Sequence, residues 1–502
     1  MTVWLLDVRL DGRVYRWASE PAEVVDLAGT TWVYLHGLGD LTGAVGAVGA
    51  ITVHDPDVDW ATHGPLLDGS PATLRRWAPG TLLEDAEVFA AGEIVAEWSA
   101  PDAPVLLEIV RRPGTLGSPV PAATARVDAT TWPTGAGVVG QVGATYPVIL
   151  GYPGYTAEGT TYAVVPAPVA EWSTTSATVI LADDPDVATT SVVIANDDRE
   201  TEDTYTTTGA SDLLGQGVRA VVLSSGDDAY PSTATSSLLA GYSPTGGGGP
   251  ARAAYDVLRY LLTRWGGDSV DWARLGECQD VLEGLQVDTW IETPMADPWA
   301  WVEATLLADL PLVLRTSARG RYLAGRPWTV DPRRTVGALE VGVDVWRSTL
   351  YARAGAPVNE IVVDGRVDRD GWALARIVLT GDLQRVATGP TSAAQYVHVV
   401  SSPACALSVA RYGVRPAEEP TLVDWTWDVG TLLRVAQHRA DRDALPAILA
   451  TYEVTGDVPW REGDQVELTD PDAAWVSRLA IVDEEPVRGT STTITLRIPE
   501  AL

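Results

Sequence analysis

The stretch Leu5-Leu6-Asp7-Val8-Arg9-Leu10-Asp11-Gly12-Arg13-Val14-Tyr15-Arg16-Trp17 alternates apolar and polar residues on both sides of an Asp-Gly pair. Period-2 alternation puts one face of a strand on a core, and Asp-Gly tolerates the positive φ of a tight hairpin turn. The chain therefore opens as β-structure. Glu87 to Trp98 reads as a second hairpin, with Val105 to Val110 as a third strand of the same meander. Arg111-Arg112 before Pro113 marks its end, because proline cannot donate to a ladder.

From about residue 130 Thr, Gly, Pro and Ala dominate. Short β-branched runs such as Ser191-Val192-Val193-Ile194 sit between acidic turns, which predicts an all-β region over about 130–243. Gly246 to Gly249 and Pro250 then form a linker. After it the period changes. Ala254, Val257, Leu258, Leu261, Leu262 and Trp265 recur at helical spacing and stop at Gly266-Gly267. A second helix opens at Asp297-Pro298, a good N-cap followed by a first-turn proline, with Trp299, Val302, Leu306 and Leu310 on one face. A hairpin follows across Arg319-Gly320. Beyond about 333 the pattern returns to strands, with one helix from Val429 to about Asp443 on Val429, Leu432, Leu433, Ala436 and Ala440. Thr493 to Ile498 alternates strictly. No repeat of fixed period is present.

The 502 residues suggest about three to five domains. With 46% hydrophobic residues there is enough apolar material for cores, which excludes global disorder. All 35 basic residues are arginine and face 67 acidic ones, for a net charge of -32. So acidic a chain repels phosphate, which argues against nucleic-acid recognition. Two cysteines, Cys278 and Cys405, do not make a disulfide scaffold and read as buried free thiols. Met1 to Asp7 lacks a basic region ahead of an apolar run, so no signal peptide is expected, and no stretch reads as a membrane anchor. The expectation is a protein made in a reducing cytoplasm.

Candidate chemistry is sparse. His54-Asp55-Pro56-Asp57-Val58-Asp59 with His63 has metal-ligating residue types, but its spacing fits no metal signature and Pro56 suggests a solvated turn. Asp368-Arg369-Asp370-Gly371 starts like a calcium loop, yet Ala375 stands where the closing Glu is needed, so a hairpin turn is expected. Asp183-Asp184-Pro185-Asp186 is a further acidic turn. Acidic pairs such as Glu84-Asp85 and Asp483-Glu484-Glu485 arise by chance in so acidic a chain. His36, His54, His63, His398 and His438 are few for acid–base work, and His438, among Arg434, Arg439 and Arg442, reads as a solvated helix face. No nucleophile elbow or phosphate loop is present. The 20 Trp and 16 Tyr against a single Phe, Phe89, fit cores and subunit contacts, or stacking on sugars.

The order of features resembles the baseplate, or tail-tip, hub proteins of tailed bacteriophages and gene transfer agents. Four stretches carry the likeness. Trp132-Pro133 with Tyr146-Pro147-Val148-Ile149-Leu150-Gly151 is similar to the strand before the family's second domain. Asp256 to Gly267 looks like the helix and glycine pair of its α+β domain. Pro357-Val358-Asn359-Glu360-Ile361-Val362-Val363 is similar to a strand opening the final barrel, and Glu462 to Asp470 resembles a late G-D-x-V strand entry. The resemblance implies a mainly β, multidomain chain with two β-barrel-like hub domains, and an inserted β-domain and a small α+β domain between them. The divisions are 1–129 (open to regaining a strand near 216–243), 130–249, 250–332 and 333–502.

It also implies a structural, non-catalytic virion protein at the distal end of the tail, with no catalytic, cofactor-binding or metal residues. A homotrimer would match a hexameric tail tube and the distal tail protein above. A central fibre, tail-tip or tape-measure protein would sit below, and the ring would form part of the DNA ejection channel. Carboxylates lining that channel would repel DNA phosphates. A host-surface carbohydrate-binding tail protein is the alternative. An enzyme acting on cell-wall polymers is suggested only by surplus carboxylates.

Overall fold

The computed structural model describes residues 3–10, 13–44, 47–55, 58, 67, 69–97, 105–110, 118–132, 138–151, 153, 155–157, 160–162, 165–172, 176–184, 187–195, 202–205, 211–212, 218–224, 235–242, 251–317, 320–328, 331–366, 373, 375–383, 397–455, 458, 460–488 and 491–499. The fold is mainly β, in several sheets with few helices.

The opening hairpin is present: Val3–Leu10 pairs antiparallel with Arg13–Ala18, with Leu10 opposite Arg13. Leu6, Val8 and Leu10 enter one core with Phe89, Ile94 and Leu107. Glu87–Glu97 is one continuous strand rather than the expected hairpin. Its first half pairs with Pro71–Trp77 and its second with Val105–Val110, so Ala90-Ala91-Gly92 continues the ladder instead of turning it. A register shift between Leu74 and Arg75 bends the pairing.

This first module does not stand apart from the last. A 16-stranded sheet runs from Thr335–Glu340 through Gln465–Asp470, Trp475–Val482, Ser491–Pro499 and Val487–Arg488 into Leu38–Ala44, and ends at Ala22–Val25. Arg488 opposite Gly43 is the joint. The closing strand alternates as expected, burying Ile494, Leu496 and Ile498 against Tyr452, Val466 and Val482. Neither end module closes into a barrel among the described residues. Among the described residues the two modules are instead joined edge to edge where Val487–Arg488 meets Leu38–Ala44.

Residues 138–242 form short-stranded β-structure with a small core of Trp132, Tyr146, Ala170 and Ile180. Arg219–Ser224 pairs with Ser176–Ala182, and Thr235–Tyr242 pairs with Val187–Ala195. Among the described residues of 216–243, both strands pair within this unit and neither joins the first module. Val148–Leu150 leaves this unit and pairs with Thr289–Ile291.

The helical part is larger than the period change alone indicates. Helices α1 (Ala254–Trp265), α2 (Gln279–Leu282) and α3 (Pro298–Asp309) precede the hairpin Leu312–Ser317/Gly320–Gly325. Asp297 caps α3 by accepting from Ala300 N, with Pro298 in the first turn. Two further helices, α4 (Pro403–Tyr412) and α5 (Val429–Asp443), belong to a four-stranded sheet of Val397–Ser401, Arg376–Thr380, Glu360–Gly365 and Thr421–Val423. One apolar cluster runs from Val257, Leu258 and Trp299 to Ile361, Ile377, Trp425 and Leu432. Each such side chain contributes roughly 1.5–3 kcal/mol when fully buried. The division read at 332/333 falls inside the chain of this shared core. The Glu360–Gly365 strand accordingly opens this mixed sheet and not a final barrel, because Ile361 and Val363 face the helices. On α5 the buried positions are Thr431, Leu432, Val435, Ala436 and Ala440, while Val429 is exposed.

Candidate functional site

Three charged junctions tie the modules together, and one polar groove opens on the first module. At the central junction Glu87, on the long strand of the first module, forms ion pairs with Arg76 at 2.5 Å and with Arg461 of the closing module. Arg76 also donates to the carbonyl of Val458 at 2.9 Å. Arg461 Nη1 donates to Tyr322 Oη at 3.2 Å, and Arg274 Nη1 reaches the same oxygen at 2.9 Å. Tyr322 is fully buried on the α+β hairpin. Four separate parts of the chain thus meet on one phenol–guanidinium–carboxylate run, which fixes their relative placement through charge-assisted bonds.

The second junction centres on Arg326. It pairs with Glu462 at 2.8 Å and Asp483 at 3.1 Å, and its guanidinium lies over Trp328 at 4.8 Å. Arg497 approaches the same Asp483 at 3.9 Å and the same indole at 5.3 Å. Burial raises the Glu462 carboxyl above its ordinary range against the pull of Arg326, and burial lowers Arg497. Arg315 Nη2 adds a bond to Asp464 at 3.1 Å. The Asp483-Glu484-Glu485 run is therefore structural at two of its positions: Glu485 accepts from Glu462 N at 3.1 Å.

The third junction holds the β-unit of residues 138–242 to α1. Tyr260 Oη donates to Asp184 at 2.8 Å, and Arg264 Nη1 lies 3.2 Å from Asp183 and 3.0 Å from Asp184. Burial pushes the Asp183 carboxyl up to about 7, with Arg264 opposing. The acidic turn read at 183–186 is thus a latch at its first two residues; Pro185 and Asp186 lie outside the described residues.

The groove has a volume of about 420 Å3. Asp7, Arg16 and Thr73 face it from adjacent strands, since Asp7 lies opposite both Arg16 and Thr73. Asp7 is paired with Arg75 and, at 3.3 Å, with Arg16, and accepts from Tyr34 Oη at 3.3 Å. Its Oδ1 is buried without a hydrogen bond. Burial and the Asp7 charge raise the Tyr34 phenol. Arg16 stacks on Trp32 at 4.1 Å, and the Trp32 indole donates to Asp26 at 2.9 Å. Exposed Arg9 completes the rim.

The predicted site residues are dispersed. Asp55 is buried and accepts from Trp17 Nε1 at 2.7 Å, so it satisfies a core indole; His54 beside it is exposed. Pro56, Asp57, Asp59 and His63 lie outside the described residues, as do 368–371; Ala375 is buried in the shared core. Among the described residues no group of His, Cys, Asp or Glu is arranged to hold a metal ion. Glu84 accepts from Leu27 N at 2.9 Å, and Asp85 from Leu82 N at 3.3 Å. His36 and His398 are exposed. His438 is half-buried rather than solvated, and burial and then Arg434 lower its pKa. Cys278 and Cys405 are buried free thiols in the shared core, and burial pushes Cys278 up to about 12. Trp17, Trp132, Trp299 and Trp425 are fully buried. Arg461, Glu87 and Tyr322 carried no signal in the sequence beyond the position of Arg461 just before the Glu462-Gly463-Asp464 turn.

No protein-family model matches the chain, and neither does any curated protein. Among solved structures, the prophage tail protein gp18 from Listeria monocytogenes EGD-e is similar to it over 61% of this chain and 94% of that one, at 11% identity. The TM-score is 0.28, too slight an overlap to carry an argument about fold or role. Among the described residues no helix is long and apolar enough to cross a membrane.

Proposed function

We propose that the chain is a structural subunit of a phage-like tail, a hub at the distal tip that adapts a hexameric tube to a central fibre or plug. In this reading three copies form a ring around the DNA exit path, and the protein catalyses no reaction. The observation that carries the reading is the single sheet joining the first and last modules through Gly43 and Arg488, with charged junctions fixing the helical part between them. That construction gives each chain two β modules in a fixed relation, which is what an adaptor between six-fold and three-fold symmetry needs. The order of the four quoted stretches supports the same assignment.

Imaging of tailed particles with an antibody to this chain tests the reading. Label at the distal tip supports it; label on the head or along the tube overturns it. A second reading, contact with host-surface carbohydrate, is favoured by the groove. Arg9 and Thr73 line it and would meet vicinal hydroxyls there. A glycan array in which Arg9→Ala abolishes every hit supports that reading, and an array without hits removes it.

A further inference from the structure

The groove on the first module lies where the outer face of the sheet changes character. On that face of the opening strand Leu5 packs in a small core with Val24, Tyr34 and Trp77, while Asp7 and Arg9 open into the groove. Arg16 and Arg75 reach it from the two strands that flank this one. Arg9 lies opposite Val14 and Asp7 opposite Arg16, so Arg9 and Arg16 are diagonal neighbours. Asp26 and Glu84 come from the turn after Ala22–Val25 and from the helical turn Leu83–Asp85. The lining thus holds three arginines and three carboxylates, and net charge alone selects no ligand.

Hydrogen-bonding capacity does select one. Asp7 Oδ2 accepts from Arg75 and Tyr34, and its Oδ1 faces Arg16 Nε at 3.3 Å. Asp26 accepts from Thr30 N at 2.8 Å through one oxygen and from Trp32 Nε1 at 2.9 Å through the other. Glu84 Oε2 accepts from Leu27 N, and its second oxygen has no partner among the described residues. The donors are used less. Exposed Arg9 has no hydrogen bond or ion pair among the described residues, and Arg16 meets Asp7 through Nε alone, so its terminal N–H groups are unengaged there. Stacking on Trp32 at 4.1 Å holds that guanidinium in place before a ligand arrives. A guanidinium fork matches a planar carboxylate, and such charge-assisted bonds are about twice as strong as neutral ones. A bare anion would face Asp26 and Glu84 across the groove, and a neutral sugar would leave Arg9 without a counter-charge. A sugar carrying both a carboxylate and hydroxyls satisfies the whole lining. The groove volume of about 420 Å3 falls in the range of small-molecule sites, roughly 300–1,000 Å3. We propose that the groove binds an acidic saccharide, its carboxylate held by Arg9 and Arg16 and its hydroxyls by Thr73 and the second oxygen of Glu84. This rests on the carbohydrate reading of the groove and names the class of sugar it takes.

Calorimetry of the full chain tests it with a uronic-acid polymer and with the same polymer after its carboxylates are reduced to alcohols. The acidic polymer is expected to bind about tenfold more tightly or better. Arg9→Ala, at an exposed position that the fold does not need, is expected to remove that advantage and leave the reduced polymer unaffected. Arg333→Ala with Arg334→Ala, an exposed pair that does not line the groove, is expected to change neither. Equal binding of the two polymers, or an equal loss in the Arg333/Arg334 variant, overturns the acidic preference and leaves the carbohydrate reading. Displacement by polyglutamate at equal carboxylate concentration overturns the assignment to a saccharide. Binding of neither polymer overturns the proposal, and a glycan array without hits then removes the carbohydrate reading as well.

Discussion

Arg488 lies opposite Gly43 in the antiparallel pairing that turns two β modules, far apart in sequence, into one sheet. Separately, Glu87, Arg461 and Tyr322 bring the first module, the closing module and the α+β hairpin onto one hydrogen-bonded run. Because the contacts are buried and charged, the relation between modules is set by geometry that flexible linkers alone would not supply.

Glu87→Gln removes the carboxylate shared by Arg76 and Arg461, and Arg461 is almost fully buried. Taking one partner from a buried ion pair costs about 3–5 kcal/mol. Arg461→Met should cost less, because Glu87 keeps Arg76 and Tyr322 keeps Arg274. Urea unfolding should rank the two variants in that order; equal midpoints would show that the run does not hold the modules.

The latch at Asp183 should respond to pH. Its folded pKa, about 7, lies above the ordinary 3.8 because burial penalises the charged form. A raised carboxyl stabilises the docked state fully below the ordinary value, and that contribution fades as pH rises through about 7. Hydrogen exchange at Tyr260 to Trp265 should therefore show an excess over ordinary base catalysis that grows from the ordinary 3.8 up to about 7 and levels off above it, and Asp183→Asn should flatten this excess. An unchanged excess in the variant would assign it elsewhere.

Asn359 shows why part of this architecture was legible and part was not. The strand after it, Glu360–Gly365, was legible only through a resemblance, and the Asn359 side chain is fully buried. It donates to Ser408 Oγ at 3.0 Å and Gly413 O at 2.9 Å, and accepts from Arg415 N at 2.7 Å. Those partners lie on and after α4, a helix whose Ser402-Pro403 start is a recognisable signal masked by the β-branched run before it. Asn359→Leu strands these groups and should cost about 1–3 kcal/mol, visible as a lower Tm. Local periods identified α1, α3 and the closing strand. They could not separate a turn from a continuous ladder at Ala90-Ala91-Gly92, where two partner strands decide. Nor could they tell a metal ligand from the acceptor of a buried indole at Asp55, since both roles use the same residue type.

Gly151 directly follows the Val148–Leu150 strand, ahead of the Tyr155–Ala157 strand of the β-unit. Its φ is +71°, and a Cβ there would lie 1.6 Å from Val287 O. Gly151→Ala combines backbone strain of about 1–3 kcal/mol with a clash that must displace Val287. Limited proteolysis should then cut between the β-unit and the α+β core; resistance equal to the wild type would mean that the pairing with Thr289–Ile291 tolerates the shift.

The central claim is that this chain works as one of several identical subunits in a closed ring. Analytical ultracentrifugation of the full chain at micromolar concentration tests it most directly. The ring predicts a mass of three chains that persists on dilution, and a well-behaved single chain across the same range contradicts it.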